Sequence, residues 1–225
     1  MSKTARALVL LTPLMGLTLF APPAGADSHN DPSQHGNEVL AYLDPIPGSG
    51  VHGAGHAEVE FNQGGHIDEF EVAAHGLLAG SPHAAHIHFG EQARHECPTL
   101  EDDTSGDGRL TTSEGAPAYG PVVLSLTTEG DTSPASVLAI TRFDTATEGT
   151  VNYERDGLFE TADGVAEAIE AGKGVVVIHG VDYNGNGKYD GAAMSDLDPS
   201  LPAEATDPAM CGVLEDDHTD HHAHD

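Results

Sequence analysis

Residues 57–61 (AEVEF) alternate small or apolar residues with acidic ones, which is the pattern of a strand with one buried face. The turn 62–65 (NQGG) follows, and Ile67, Phe70 and Val72 then repeat the scheme with an irregular spacing. Two such strands separated by a Gly-rich turn predict neighbouring antiparallel strands, each with one face in the core.

The same reading extends outward along the chain. Further strands are predicted at 39–43, 84–89, 122–126, 136–143, 174–179 and 212–214, and one helix at 162–171 (ADGVAEAIEA), which stops at Gly172. Short strands separated by Gly- and Pro-rich connections favour an all-β antiparallel sandwich or barrel with one short crossover helix.

The charge balance is strongly acidic. The 225 residues include 8 Lys and Arg against 37 Asp and Glu, a formal charge of −29. A surface of this sign repels phosphates, which argues against nucleic acid and anionic membranes as partners and favours divalent metal ions. Adaptation of a secreted protein to high salt would produce the same composition.

The N-terminus has the pattern of an export signal. Lys3 and Arg6 precede the apolar run 7–21, and the small residues 24–26 (AGA) predict a signal peptide of residues 1–26 with cleavage before Asp27. The run is shorter than the roughly 20 residues that a membrane span needs. We therefore expect a secreted, extracellular protein with no membrane attachment after cleavage, whose 6 basic and 37 acidic residues give a charge of −31.

The remaining chain is long enough for one domain. Residues 27–37 are polar and lack periodicity, which predicts a disordered leader, and residues 38–214 hold the predicted strands. The two cysteines of the chain, Cys97 and Cys211, are expected to pair as a disulfide in an exported protein, with two free thiols as the alternative.

Residues 103–114 (DTSGDGRLTTSE) match the ligand pattern of an EF-hand calcium loop. Oxygen-bearing side chains fall at positions 1, 3, 5 and 9, Gly108 permits the turn at position 6, and a glutamate closes the loop at position 12. The flanking residues do not resemble the helices of an EF-hand pair, so we expect a lone loop. The alternative is an acidic turn that binds nothing. The predicted calcium ligands are Asp103, Ser105, Asp107, Arg109 through its carbonyl, and Glu114.

Residues 182–190 (DYNGNGKYD) repeat the first nine positions of this pattern. Position 12 is Ala193, so a closing carboxylate would have to come from Asp196 or Asp198. A weaker calcium site and a simple tight turn both remain open as interpretations. The candidate ligands are Asp182, Asn184, Asn186, Lys188 and Asp190.

Three histidines form a further candidate metal site. His86 and His88 are two residues apart in a predicted strand, so their side chains lie on one face, and His179 ends the apolar strand 175–178. Three imidazoles suit copper or zinc. Half-buried histidines that bond to backbone groups are the alternative.

The segment 76–90 (GLLAGSPHAAHIHFG) resembles the part of copper/zinc superoxide dismutases in which a Gly-Leu turn leads into a His-x-x-His-x-His strand. Cys97, the strand 176–179 (VVIH) and the terminal 209–213 (AMCGV) resemble later landmarks of that family, in the same order. The chain also resembles the chordin-type (CHRD) domains of secreted bacterial proteins through 48–53 (GSGVHG), the His-x-His strand and the helix 165–171.

This resemblance implies a Greek-key β-sandwich with an internal Cys97–Cys211 disulfide and copper held by His86, His88 and His179. Two departures limit it. Between residues 90 and 119, where dismutases carry the bridging histidine and the zinc ligands, the only histidine is His95, so no dismutase-type zinc site is expected. Residues 206–210 (TDPAM) lack the arginine that attracts the anionic substrate.

We therefore expect a secreted, calcium-stabilised, copper-binding β-sandwich without catalytic residues, and a copper-dependent superoxide dismutase is the alternative. The C-terminal tail 215–225 (EDDHTDHHAHD) alternates carboxylates and imidazoles. Such a disordered segment binds transition metals weakly or serves only as a solvated acidic tail. Its candidate ligands are His218, His221, His222 and His224.

Overall fold

The computed structural model of the protein describes residues 35–216. The predicted signal peptide 1–26, residues 27–34 of the predicted leader 27–37 and the tail histidines from His218 onward lie outside the described residues. Residues 35–37 of that leader and residues 215–216 of the predicted disordered tail belong to strands instead. In the described part of the chain, no helix combines the length and apolar character needed to cross a membrane.

The fold is an antiparallel sheet that curls into a half-barrel, as the sequence predicts. Its strands follow the order β5-β4-β7-β8-β1-β2-β3-β6, and β9 pairs with β1. The strands are β1 (His35–Pro45), β2 (Ala54–Asn62), β3 (Ile67–His75), β4 (Ala85–His88), β5 (Val122–Ser125), β6 (Thr150–Asp156), β7 (Val175–His179), β8 (Pro208–Val213) and β9 (Glu215–Asp216).

The hairpin β2–β3 accounts for the irregular spacing in the sequence. Glu60 pairs with Glu69 whereas Phe61 pairs with Ile67, so β3 contains one extra residue, Asp68, at a β-bulge. The bulge restores the inward direction of Ile67, Phe70 and Val72, all of which are buried. Burial of each large side chain contributes about 1.5–3 kcal/mol.

The other half of the barrel, β5-β4-β7-β8, is covered on both faces. Ile87, Val176 and Ile178 point into the main core, while Val175 and Val177 lie on the outer face in a second apolar cluster. Burial on both faces explains why residues 175–178 are continuously apolar instead of alternating.

The two end strands of the sheet approach each other through side chains. In β6, the guanidinium of Arg155 donates to the carbonyl of Thr127 at 2.6 Å and the hydroxyl of Tyr153 donates to the same oxygen at 3.3 Å. Thr127 follows β5, so these bonds join the β5 and β6 ends of the half-barrel. The chain crosses from β3 to β4 and from β6 to β7 between distant parts of the sheet, which is a Greek-key type of connection.

Three short helices lie outside the sheet: α1 (Thr112–Tyr119), α2 (Val165–Ala168) and α3 (Ala203–Thr206). The predicted helix 162–171 corresponds to α2 and the turn Ile169–Lys173, in which Gly172 adopts a φ of 77° and ends the helical run. α1 was not predicted. It begins within the last three residues of the first calcium-type loop, so one helix follows that loop.

The predicted strand at 136–143 is also wrong. This segment contains two 3₁₀ turns, Pro134–Ser136 and Ile140–Arg142. Conversely, β6 was not predicted, since only Val151 and Tyr153 mark its buried face.

Cys97 and Cys211 form the expected disulfide, with a Cα–Cα distance of 5.7 Å. The bridge ties the long loop after β4 to β8, and Cys211 is packed in the outer cluster with Leu110 and Tyr119. It closes a sequence separation of 114 residues. In the chain-entropy description a loop of that size stabilises the fold by about 4.7 kcal/mol. The disulfide thus holds the loop that carries α1 against the sheet.

Candidate metal centre

The strand register brings the three predicted histidines together. In the ladder between β4 and β7, His86 pairs with Val177 and His88 pairs with Val175, so both imidazoles lie on the outer face of the sheet. Side chains alternate between the two faces along β7, so His179 lies on the outer face with Val175 and Val177. Its side chain is therefore beside the other two.

The three rings form a compact triangle. Their centroids are 5.2 Å apart for His86 and His179, 5.8 Å for His86 and His88, and 6.0 Å for His88 and His179. One ring nitrogen from each residue lies within 4.8 Å of the others. All three side chains are buried, with exposures of 2–4%. The structure thus brings the three predicted residues together.

Hydrogen bonds orient two of the rings. His88 Nδ1 lies 2.8 Å from the carbonyl oxygen of Gly120, and His179 Nδ1 lies 2.7 Å from the carbonyl oxygen of Thr206. A carbonyl can only accept, so each Nδ1 carries the proton and each Nε2 is left with a free lone pair. Within the described residues, Nε2 of His88 and Nε2 of His179 have no hydrogen-bond partner. Neither nitrogen of His86 makes a hydrogen bond of normal geometry, although burial, which lowers its pKa, is opposed slightly by the nearby Val137 backbone, which raises it.

The protein surroundings keep the imidazoles neutral. Burial, followed by the proximity of His179, lowers the pKa of His88 to about 3. Burial likewise lowers the pKa of His179 to about 4 and that of His86 well below its ordinary value. At neutral pH the three lone pairs are therefore available without a proton having to leave.

The arrangement fits a bound metal ion. A buried polar atom without a partner costs about 1–3 kcal/mol, and one such nitrogen from each of the three rings converges here. Around a metal with bonds of about 2.0–2.1 Å, nitrogens lie roughly 3.3–3.6 Å apart. Small side-chain rotations would close the present triangle to that size. The Nδ1–carbonyl bonds are the kind of outer interaction that orients metal-binding histidines.

Helix α1 connects the partners of the histidines. Gly120, whose carbonyl accepts a hydrogen bond from His88 Nδ1, follows the last residue of α1, and Tyr119 packs on the His88 ring at 4.4 Å. At the other end of the helix, the Thr112 hydroxyl donates to the Thr206 carbonyl at 2.7 Å, the same oxygen that binds His179. α1 thus supports two of the three rings. These partners cannot be predicted from the sequence, because every residue has a backbone carbonyl and the residue type does not show which one accepts a hydrogen bond.

A cavity of about 40 Å³ adjoins the three rings. Single water molecules need roughly 10–15 Å³ by this measure, so the space exceeds that of one water. Its walls come from β4, β5 and β7, from the turns around residues 137–140 and from the segment 197–206.

The first calcium-type loop is exposed, and its carboxylates accept hydrogen bonds from the loop itself. Asp103 accepts from the N–H groups of Gly106 and Gly108 at 2.7 and 2.8 Å, and the Gly108 N–H is the main cause that lowers the pKa of Asp103. Glu114 accepts from Ser105 N at 2.9 Å and from Thr111 N at 3.1 Å, the second bond being half of a capping box for α1. The loop and the helix start therefore share Glu114.

The second calcium-type loop donates hydrogen bonds to the carboxylate of Glu204, a residue that was not predicted to take part. Glu204 accepts from the N–H groups of Asp190 and Gly191, each at 2.8 Å, and from the side chain of Asn184 at 3.2 Å. Its side chain is buried. The available signal was the presence of two carboxylates, Glu204 and Asp207, in the otherwise weakly polar stretch 201–210 (LPAEATDPAM).

Neither aspartate proposed to close the second loop does so. Asp196 accepts from Ser113 N at the start of α1 at 2.9 Å, and Asp198 accepts from Ser200. Within the loop, Asp182 accepts from Gly187 N at 2.8 Å, and Asn186 donates to Asp190 at 2.8 Å. Lys188 is exposed.

Two acidic groups converge on the outer face of the other half of the barrel. In each, carboxylate oxygens from three residues lie within 4.8 Å of one another. They are Glu38, Glu58 and Glu60, and Glu69, Glu71 and Glu154. Partial burial and then the neighbouring carboxylates raise the pKa of Glu69 to about 7.

Comparison with known proteins adds no family assignment. No protein-family model matches the chain, and no curated protein matches it either.

Proposed function

We propose that the protein binds one copper ion with His86, His88 and His179, and that its role is to hold the metal. The observation that carries this proposal is the convergence of three buried imidazoles whose inward nitrogens have no protein partner. The resemblance to the copper-binding strands of dismutases and to CHRD domains points to the same residues.

The donor set favours copper. Three neutral imidazoles suit copper and zinc, and the Irving–Williams order places Cu²⁺ above Zn²⁺ at a given nitrogen site. The hydrogen bonds of His88 and His179 go to backbone carbonyls instead of carboxylates, so the shell contributes no negative charge. A neutral, buried shell also favours the monovalent ion, because the cost of burying a charge rises with its square.

Metal storage or transfer fits this site better than dismutation of superoxide. The described residues that line the adjoining cavity include no Lys or Arg that could attract an anion. The chain as a whole carries a charge of −29, which repels superoxide. When bound, copper would supply a redox-active centre with room for a further ligand.

We extend the proposal to export and calcium. A disulfide is typical of proteins that mature in an oxidising compartment, which supports secretion. The complete ligand pattern at 103–114 supports calcium binding by that loop, where the ion would fix the start of α1.

The test is a copper titration of the full chain in which His218, His221, His222 and His224 are replaced by Ser. We expect one copper per chain, measured by elemental analysis after desalting. Adding His86→Phe or His88→Phe should abolish retention, whereas His75→Asn, at an exposed histidine on β3, should not. Stoichiometric copper in a variant that lacks all three core imidazoles would disprove the assignment.

A further inference from the structure

The cavity beside the histidines has an apolar wall. Apart from the three imidazoles and Thr112 and Thr206, its described lining is entirely aliphatic. The larger of these side chains are Val122, Val137, Leu138, Ile140, Leu197 and Leu201.

The two hydroxyl groups in the wall are already engaged. Thr112 donates to the Thr206 carbonyl at 2.7 Å, and the Thr206 hydroxyl donates to Ser195 Oγ at 2.8 Å. Neither proton points to a ligand in the cavity. An ion that entered would lose its hydration without gaining hydrogen bonds from the wall.

The apolar lining continues to the surface. Leu138, Ile140 and Leu197 line the cavity and are also 41%, 39% and 50% exposed, so they form its mouth. The basic residue nearest in sequence to Leu138 and Ile140 is Arg142, but its guanidinium is bound elsewhere and does not supply a cation to the mouth. Its guanidinium donates to the carbonyl oxygens of Glu129 and Asp131, each at 2.9 Å.

We infer that this cavity admits a small uncharged ligand, of the size of a diatomic molecule, to the open side of the histidine centre and excludes inorganic anions. The inference rests on the proposed copper site and specifies which ligands reach it. The size of the ligand follows from the cavity volume of about 40 Å³. The ligand is expected to be uncharged because the described wall and mouth of the cavity offer no cation and no free hydrogen-bond donor.

Two probes test the inference on copper-loaded full chain with the four tail histidines replaced by Ser. Carbon monoxide added to the reduced protein should give one C–O stretching band in the infrared, with an intensity that saturates at one per copper. Millimolar azide added to the oxidised protein should leave the visible spectrum unchanged.

A charge at the mouth should reverse this selectivity. Ile140→Lys places a cation beside the cavity, and we expect azide affinity to rise at least roughly fivefold. Leu158→Lys is the matched control, since Leu158 is 71% exposed and does not line this cavity. It should bind azide no better than the parent protein.

The outcomes separate the two proposals. A copper-loaded protein that binds azide as tightly as Ile140→Lys does, or that gives no carbon monoxide band, overturns the neutral-ligand inference and leaves the copper site intact. A protein that retains no copper by elemental analysis overturns the copper proposal, and the inference with it.

Discussion

Arg109 of the first calcium-type loop forms an ion pair with Asp207, the residue that follows α3, with the guanidinium Nη1 3.0 Å from Asp207 Oδ2. Asp207 is fully buried and also accepts from the hydroxyl of Tyr183 at 3.0 Å. The guanidinium lies over the Tyr183 ring, 5.3 Å from its centroid. These contacts of Arg109 and Tyr183 join the first loop to the second. They also join both loops to Asp207, which follows Thr206, the residue whose carbonyl binds His179.

Removal of this ion pair should destabilise the protein in a pH-dependent way. Burial raises the pKa of Asp207 to about 7. Because the folded state holds this proton more tightly than the unfolded chain, the contribution of Asp207 to stability falls as pH rises from about 4 to about 7. Arg109→Gln removes the compensating charge, so we expect a loss of about 1–3 kcal/mol at pH 8 and a smaller loss at pH 5.5.

Urea denaturation at the two pH values measures this difference. Arg94→Gln is the control, since Arg94 is itself 43% exposed and its pair with Asp102 should contribute less than about 1 kcal/mol. An equal loss for Arg109→Gln at both pH values would show that Asp207 does not titrate as described.

Thr112 should affect copper affinity without touching the metal. Its hydroxyl holds the Thr206 carbonyl that orients His179. Loss of such an outer interaction weakens metal binding by about 10–100-fold, so Thr112→Val should fall in the lower part of that range. Thr112→Ser keeps the donor and should restore affinity, measured by competition with a chelator. If Thr112→Val lost stability but bound copper normally, Thr112 would be only a packing residue.

The sequence was sufficient for the features set by local periodicity. His86 and His88 are two residues apart in β4, so their side chains lie on one face of the strand. The continuous apolar run before His179 indicates a strand that is buried on both faces. The disulfide followed from the cysteine count. The bulge at Asp68 was visible only as an irregular spacing, since alternation alone does not show where the extra residue lies.

The failures have physical causes. Val137, Leu138 and Ile140 suggested a strand, but their apolar character serves the cavity beside the histidines. α1 was overlooked because Gly115 and Pro117 within it are weak helix formers, whereas the Thr111–Glu114 capping box and tertiary contacts sustain it. Glu204 acts through chain segments far apart in sequence, which periodicity does not report.

Calcium binding at the first loop should stabilise the fold through Glu114. Glu114→Gln removes the carboxylate that would chelate calcium and weakens the capping box with Thr111. We expect a loss of about 0.5–1 kcal/mol without calcium and a larger loss in millimolar calcium, seen as a smaller rise in melting temperature. Glu101→Gln, exposed and outside the loop, should behave as the parent protein. Identical melting of Glu114→Gln and the parent protein in calcium would exclude the site.

The acidic face of the barrel should make stability depend on pH and salt. Glu71 pairs across the sheet with Glu58 on one side and Glu154 on the other, and like charges in such positions destabilise a sheet.

Glu71→Gln should therefore raise stability by about 0.5–1 kcal/mol at pH 7.5. The folded state raises the pKa of Glu69 to about 7, so it binds more protons than the unfolded chain, and stability should increase as pH falls from about 7 toward 4.5. The gain from Glu71→Gln should shrink at pH 5, where the neighbouring Glu69 is mostly protonated, and in 1 M salt, where screening acts over about 3 Å. Glu91→Gln, exposed after β4 on the other half of the barrel, controls for loss of a charge elsewhere. Thermal melting of the three proteins across pH and salt decides the matter, because a gain that persists at pH 5 in high salt would have to come from packing and not from charge.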